Sequence, residues 1–347
     1  MHDIERWLRP VAAAHAAGAE IWHAEGVTVR RVPGGNNNAL YRVEADGACY
    51  ACKLCVDDDR RRAAHEYGAL RLFQEAGIDV APEPLGLDEG CTLLPYPAVV
   101  YRWLPGMPLR PPLTAAQLAL FLATFQAIHA LRPDPLAPDD LDSWFHWFDF
   151  APYLDELAGL LGTYGPWLSR DVAGGAALRE RLAHLVEVCA AFVAATDVDP
   201  GRECVALRMC RVDANLDNTL LGPDGRLRWV DWEYCGWGDP ALDLCELRWH
   251  AALEGLDAAQ QRWLRDHYRR PADDAGFEAR LAVWDRIIST RWCFLILRAL
   301  WSLHNGPDRV RLTRIVADPD TLHARLVRFV ARAERVVQST ARDGPMG

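Results

Sequence analysis

The stretch from Arg211 to Asp243, RVDANLDNTLLGPDGRLRWVDWEYCGWGDPALD, restricts the chain more than any other part of it. Two short apolar runs, Thr219-Leu220-Leu221 and Leu227 to Val230, flank Gly222-Pro223-Asp224-Gly225. Pro and Gly are strong turn formers, so the runs read as a hairpin. Folding at that turn brings Asn218 at one end towards Asp231 at the other, with Asp213 one loop upstream. A hard divalent cation prefers such oxygen ligands, and Mg²⁺ usually takes only one or two of them together with phosphate oxygens.

The N-terminal part has a second ordered set. Val27 to Val32 alternates like a strand, Gly34-Gly35-Asn36-Asn37-Asn38 follows, and Ala39 to Val43 resumes a strand pattern. Gly and Asn tolerate left-handed backbone, and amides in such a loop can cradle phosphates. No G-x-x-x-x-G-K-[ST] loop occurs in the chain. After the turn Asp46-Gly47, a strand from Cys49 to Val56 carries Lys53, and a helix from about Arg60 to Ala76 carries Glu66. Of the 38 basic residues, Lys53 alone is a lysine. In a chain that uses Arg elsewhere, this marks a place where a compact ammonium is needed and a planar guanidinium does not fit.

The order Asp213-x-x-x-x-Asn218, hairpin, Asp231 matches the catalytic half of the protein-kinase pattern. With Asp231-Trp232-Glu233 in place of Asp-Phe-Gly and Gly238-Asp239-Pro240-Ala241-Leu242-Asp243-Leu244 following, it resembles the aminoglycoside phosphotransferase and choline kinase families of small-molecule kinases. The helix Arg62 to Leu72 resembles the corresponding family helix, and the likeness runs over roughly residues 27 to 250. It implies an α+β, bilobed protein-kinase-like fold, with a small N-lobe of antiparallel sheet plus one helix and a larger, mainly helical C-lobe.

The resemblance also implies roles. Gly34, Gly35, Asn36, Asn37 and Asn38 would cover the nucleotide, ATP or GTP. Lys53 would hold its α/β-phosphates and Glu66 would aim Lys53. The segment Val99 to Gly106, with Arg102 and Leu104, would form the hinge that receives the base. Asn218 and Asp231 would hold Mg²⁺, Asp213 would take or orient the proton of the attacking hydroxyl, and Asp243 would brace the catalytic loop. The family usually has His-Gly-Asp where this chain has Arg211-Val212-Asp213. Arg211 is expected to pair with a nearby carboxylate and so supply the missing support. The departure also admits a protein that binds a nucleotide or small molecule without transferring phosphate. A third reading, a protein kinase, is disfavoured, because no Ala-Pro-Glu element or long activation segment follows Asp231.

The boundaries expected are an N-terminal nucleotide lobe over 1–104 with a leading helix, a helical catalytic and substrate lobe over 105–338, and a loose tail over 339–347. Thr114 should cap a helix through Leu131. Further helices are expected over Asp155–Leu161, Ala176–Val193, Leu244–Ala252, Ala258–Arg269, Phe277–Leu303 and Asp320–Val337. A strand is expected over Cys204–Leu207, after the loop Asp197–Arg202. Trp144-Phe145-His146-Trp147-Phe148 reads as packing aromatics rather than a cation box, and His129 as a core residue. Cys49, Cys52 and Cys55 are poor metal ligands, since a strand turns Cys52 to the face opposite the other two.

Composition sets outer limits. A net charge of −10 argues against nucleic-acid binding. No apolar run approaches the length of a membrane span, and the segment Trp292 to Leu303 is interrupted by Arg298, so no span is expected. The start MHDIERWLRP lacks the pattern of a signal peptide, and ten scattered cysteines suit a reducing cytoplasm. From Asp213 to Asp257 ten acids face three bases, which favours a cationic acceptor such as an aminoglycoside or amino alcohol; sugars stay open.

Overall fold

The computed structural model describes residues 4–33, 38–133, 141, 149–198, 205–306 and 317–339. The loop 34–37, the aromatic run Trp144–Phe148, most of the segment 197–204 and the tail beyond Ser339 lie outside the described residues. The chain forms two compact units. One draws on residues 4–141 and 209–237, the other on 149–208, 238–306 and 317–339.

The first unit begins with α1 (Glu5–Ala16), which runs through Pro10, and β1 (Ile21–Ala24). The leading helix, expected over residues 1 to about 25, thus ends at Ala16 and gives way to a four-residue strand. It is followed by β2 (Val27–Val32), β3 (Ala39–Ala45), β4 (Ala48–Leu54), α2 (Arg62–Glu75), β5 (Pro84–Asp88) and β6 (Ala98–Arg102). The six strands make one antiparallel sheet in the order β1-β2-β3-β4-β6-β5. Period-two alternation decides what each face carries. Tyr50, Cys52 and Leu54 of β4 join Tyr41, Val43 and Val100 in a core with Trp7, Leu8 and Val11 of α1. Lys53 therefore points to the other face, opposite Leu40 on β3 and Val99 on β6.

The helix α2 has an unusual buried stripe. Arg62, Glu66, Ala69, Leu70 and Phe73 recur at helical spacing and are all buried. Two ionised residues thus occupy positions that would ordinarily be apolar, and buried charges must be paired.

After a short strand β7 (Met107–Pro108), Thr114 caps α3 (Ala115–Ile128) in a reciprocal capping box with Gln117. The expected hairpin is present: β9 (Thr219–Leu221) pairs antiparallel with β10 (Leu227–Trp229), and β7 adds to the β9 edge. Before it, β8 (Arg208–Cys210) pairs with β11 (Gly236–Gly238). The strand β8 begins just beyond Cys204–Leu207, where a strand was expected. Phe121 and Phe125 of α3 pack edge-on against Trp229.

The second unit is helical: α4 (Ala151–Asp171), α5 (Gly175–Ala195), α6 (Pro240–Trp249), α7 (Ala258–His267), α8 (Phe277–Asn305) and α9 (Pro319–Ser339). Its core joins Leu157 and Leu168 of α4, Leu178 and Leu182 of α5, Phe294 and Leu297 of α8, and Leu326 and Phe329 of α9. The α4–α5 turn requires glycine, because a Cβ on Gly175 would sit 1.8 Å from the Leu168 carbonyl oxygen. Asp239 caps α6 by accepting from the Ala241 amide. Asp243 lies buried in the first turn of that helix.

Candidate active site

The site grows from Lys53. Its Nζ lies 2.5 Å from Glu66 Oε2, 2.5 Å from Asp231 Oδ1 and 3.5 Å from Glu233 Oε2. Burial alone would pull the lysine pKa down, but the charges of Asp231, Glu66 and Glu233 outweigh it and hold it well above the ordinary value. Lys53 is therefore an ammonium. Burial pushes the Glu66 carboxyl up, against the pull of Lys53. Glu66 is fully buried, and its Oε1 has no hydrogen-bond partner among the described residues.

Asp231 is held from the other end of the hairpin. Asn218 Nδ2 donates to its Oδ2 at 3.1 Å. Asn218 itself closes a 3₁₀ turn, Leu216–Asn218, whose cap is the Asn215 side chain accepting from Asp217 N–H. Val230 N–H donates to the Asn218 carbonyl at 3.0 Å, so the hairpin register fixes the amide and the carboxylate together. Asp217 faces outwards and pairs with Arg110.

Arg211 connects the catalytic loop to Asp231. Its Nη1 donates to the Asp231 carbonyl oxygen at 2.5 Å and its Nη2 to that of Val230 at 2.8 Å. The guanidinium lies 4.5 Å over the Trp232 ring, and Trp232 packs in turn on Phe73 of α2, ring centroids 4.4 Å apart. Hydrogen bonds from a charged donor contribute about 1.5–3 kcal/mol each. The Arg211 carbonyl accepts from Asp213 N–H at 2.8 Å, and Asp213 Oδ1 accepts from Asn215 N–H at 3.1 Å. Arg211 thus meets the Asp231 end of the motif through its side chain and the Asp213 end through its main chain.

Two of these residues have left-handed backbone: Val212 at φ 64° and Asp231 at φ 64°. Aspartate tolerates that region, whereas a β-branched residue is strained there. Val212 stands where the resembled families have glycine, so the substitution leaves strain beside Asp213.

The structure adds residues that sequence reasoning passed over. Glu233 is buried and accepts from Arg62 Nη1 at 2.7 Å and from Asn38 Nδ2. Asn38 Oδ1 accepts from Val56 N–H at 3.1 Å, so this side chain ties the end of the 34–38 loop to the cluster. Arg62 also donates to Asp58 and to the Tyr234 hydroxyl. The signal available beforehand was Arg62 itself, an arginine on the buried stripe one turn before Glu66. Gly34, Gly35, Asn36 and Asn37 lie outside the described residues.

Arg102 is exposed and pairs with Glu83 at 3.0 Å, while its amide donates to the Glu83 carbonyl. With Trp103, Leu104 and Pro105 it borders a cavity of about 560 Å³, whose other walls include Phe73, Ile78 and Asp224.

The cluster sets four carboxylates, Glu66, Asp231, Glu233 and Asp58, against two cations, Lys53 and Arg62. The excess of two negative charges and the orphaned Glu66 oxygen suit a divalent cation, with Asp231 as the accessible carboxylate at 31% exposure. Cys55, Glu66 and Glu233 also place one ligand atom each within 4.8 Å of one another.

A model of the phosphotransferase enzyme family matches residues 28–273. No curated protein sequence matches the chain. Among solved structures, a spectinomycin phosphotransferase in complex with ADP and spectinomycin superposes with a TM-score of 0.62 at 13% identity, over 89% of this chain and 93% of that one. Choline kinase from Streptococcus pneumoniae gives 0.54 at 16% identity, over 93% and 98%. An aminoglycoside phosphotransferase in a ternary complex with ADP and hygromycin B gives 0.54 at 14%, over 95% and 98%. These likenesses show the fold: a kinase-like chain with an antiparallel sheet in its N-terminal region and helices in its C-terminal region.

Proposed function

The chain belongs to the phosphotransferase enzyme family, and we propose that it moves the γ-phosphate of ATP or GTP to a hydroxyl of a small molecule. The observation that carries this reading is Lys53, 2.5 Å from both Glu66 and Asp231, with Asn218 bonded to the second oxygen of Asp231. Phosphoryl transfer asks the protein for positioning and charge neutralisation rather than covalent chemistry.

Lys53, aimed by Glu66, would donate to the α/β-phosphate oxygens. Asn218 and Asp231 would hold Mg²⁺, which when bound neutralises charge on the phosphates. Asp213, with Oδ1 set by the Asn215 amide, would accept the proton of the acceptor hydroxyl. Arg211 would keep Asp213 and Asp231 in register. The Asn38 amide would anchor the end of the loop expected to cover the nucleotide, and the base would lie along the hinge at Arg102 and Leu104.

The acid excess between Asp213 and Asp257 carries less than its count suggested. Asp217, Asp224, Glu233, Asp239, Glu246 and Glu254 each hold an arginine. Aminoglycosides and amino alcohols still come first for screening, because structural neighbours bind spectinomycin and hygromycin B or are choline kinases. Among the described residues no helix is long and apolar enough to cross a membrane.

Thermal melting with ATP and with GTP, each with and without Mg²⁺, tests the reading. The expected result is a rise that needs Mg²⁺ and disappears in Asp231→Asn. No rise with either nucleotide at millimolar concentration would move the chain to the alternative, a binding protein on a kinase-like scaffold.

A further inference from the structure

What holds Glu66 against Lys53 is not obvious from α2 itself. The residue at its N-cap, Arg61, has left-handed backbone and makes no capping bond through its side chain. Glu66 reaches Lys53 only if the helix keeps one rotation about its axis, and the buried Leu70 and Phe73 lie towards its other end.

Arg62, one turn before Glu66, supplies the missing restraint. It is 3% exposed, and its guanidinium works in two directions. Nε and Nη2 donate to Asp58 Oδ2 at 3.1 and 3.0 Å, on the segment leading into the helix. Nη1 donates to Glu233 Oε1 at 2.7 Å and to the Tyr234 hydroxyl at 3.0 Å, on the segment that follows Asp231. His65 meets the Cys235 carbonyl with Nε2, which requires that nitrogen to carry the proton. Three consecutive residues after Trp232 are therefore bound to α2. Glu233 is also bound by Asn38, at the end of the loop expected to cover the nucleotide.

We propose that Arg62 is a positioning residue, clamping α2 to Glu233 and Tyr234 so that Glu66 and Lys53 stand in binding geometry before any nucleotide arrives. The proposal rests on the phosphotransferase reading of the site for its consequence, though not for its geometry. A planar fork suits the place because its separate nitrogens reach Asp58 on one side and Glu233 and Tyr234 on the other in fixed geometry, whereas an ammonium offers a single point. Glu233 in this arrangement is the anchor that receives the clamp. Without the clamp, nucleotide must itself drive α2 into place, and apparent affinity falls by the fraction of molecules already competent.

The test compares wild type with Arg62→Ala and Arg62→Lys in two measurements. In turnover, Arg62→Ala should raise KM for the nucleotide about tenfold, with kcat at saturation within about twofold of wild type, as expected if a tenth of the molecules stay competent. Arg62→Lys should fall between. In the ligand-free protein, amides of residues 63–69 should exchange hydrogen faster in Arg62→Ala while those of α3 keep their rate. A wild-type KM in Arg62→Ala overturns the proposal whatever its melting temperature, and so does unchanged exchange in α2. If wild type shows no nucleotide binding, the phosphotransferase reading fails by itself, and the exchange comparison still decides the clamp. Should Arg62→Ala not fold, Tyr234→Phe removes one bond of the fork and carries the same comparison at a smaller size.

Discussion

Asp231 and Asp239 stand eight positions apart in sequence and are used in opposite ways. Asp239 is sealed: Arg280 Nε and Trp284 Nε1 donate to Oδ2 at 2.9 and 2.8 Å, while Ala241 N–H and Arg280 Nη2 donate to Oδ1 at 2.9 and 3.2 Å. Neither it nor Arg280 is exposed. Asp231 has left-handed backbone and a side chain 31% exposed, and its carboxylate meets Lys53 and Asn218. Both belong to clusters rich in acid, so charge alone does not separate a structural carboxylate from a ligand-binding one. What separates them is saturation. The carboxylate of Asp239 is filled by four donors; that of Asp231 retains acceptor capacity on a surface that solvent reaches.

Exchanging the insults makes the contrast measurable. Asp239→Ala takes a carboxylate away from the buried Arg280, which keeps Asp274, and removes the α6 cap. It should cost about 3–5 kcal/mol of stability, as breaking buried ion pairs does. Asp231→Asn should change the urea midpoint by the equivalent of under about 1 kcal/mol, because a partly exposed charge has solvent to fall back on. It should nevertheless lower turnover by about 10²–10³-fold or more, the scale for losing a group that meets transition-state charge. Equal destabilisation by the two variants would erase the distinction.

Val212 offers a finer probe of the same contrast, because strain is stored on the Asp231 side and not in the well-capped α6. A left-handed residue with a Cβ costs about 1–2 kcal/mol, whereas glycine in a fixed conformation loses about 0.5–1 kcal/mol in entropy. Val212→Gly should therefore stabilise by up to about 1 kcal/mol in denaturant unfolding. A loss of stability would mean that the buried Val212 side chain contributes more packing than its backbone costs.

The smallest effect lies at the hairpin turn. Hydrogen bonds from Arg228 and the Arg226 amide hold the Asp224 carboxyl down to about 2. Its pKa is depressed on folding, so its contribution to stability is complete above the unfolded value of about 4 and is lost as pH falls through about 2. An NMR titration of the Asp224 carboxyl should show that midpoint, and Arg228→Ala should return it towards about 4.

Lys53 with Glu66 and Asn218 with Asp231 were legible as pairs because each spans 13 residues, while Lys53 and Asp231, 178 residues apart, were joined only by the kinase resemblance. Once those elements form, register delivers the side chains, as Asn218 and Asp231 show across a three-residue ladder. The partners of Glu233 were not legible, because Arg62 and Asn38 reach it across 171 and 195 residues. The support from Arg211 was expected, but its acceptors are main-chain oxygens, which leave no trace in a sequence. The strands Ile21–Ala24, Met107–Pro108 and Gly236–Gly238 escaped for a different reason: at two to four residues they are too short to show a period. Arg62 carried a readable sign, a charge on an otherwise apolar helical stripe.

The solitary lysine has a practical consequence. Apart from the α-amino group, a reagent that acylates primary amines finds one nitrogen on the whole chain, and that nitrogen is buried among three carboxylates. The rate at which the chain gains a second acyl group, after the α-amino group has taken the first, is then a clock for opening of the Lys53 cluster. Intact-mass measurement can read it without mutation, fluorophore or isotope.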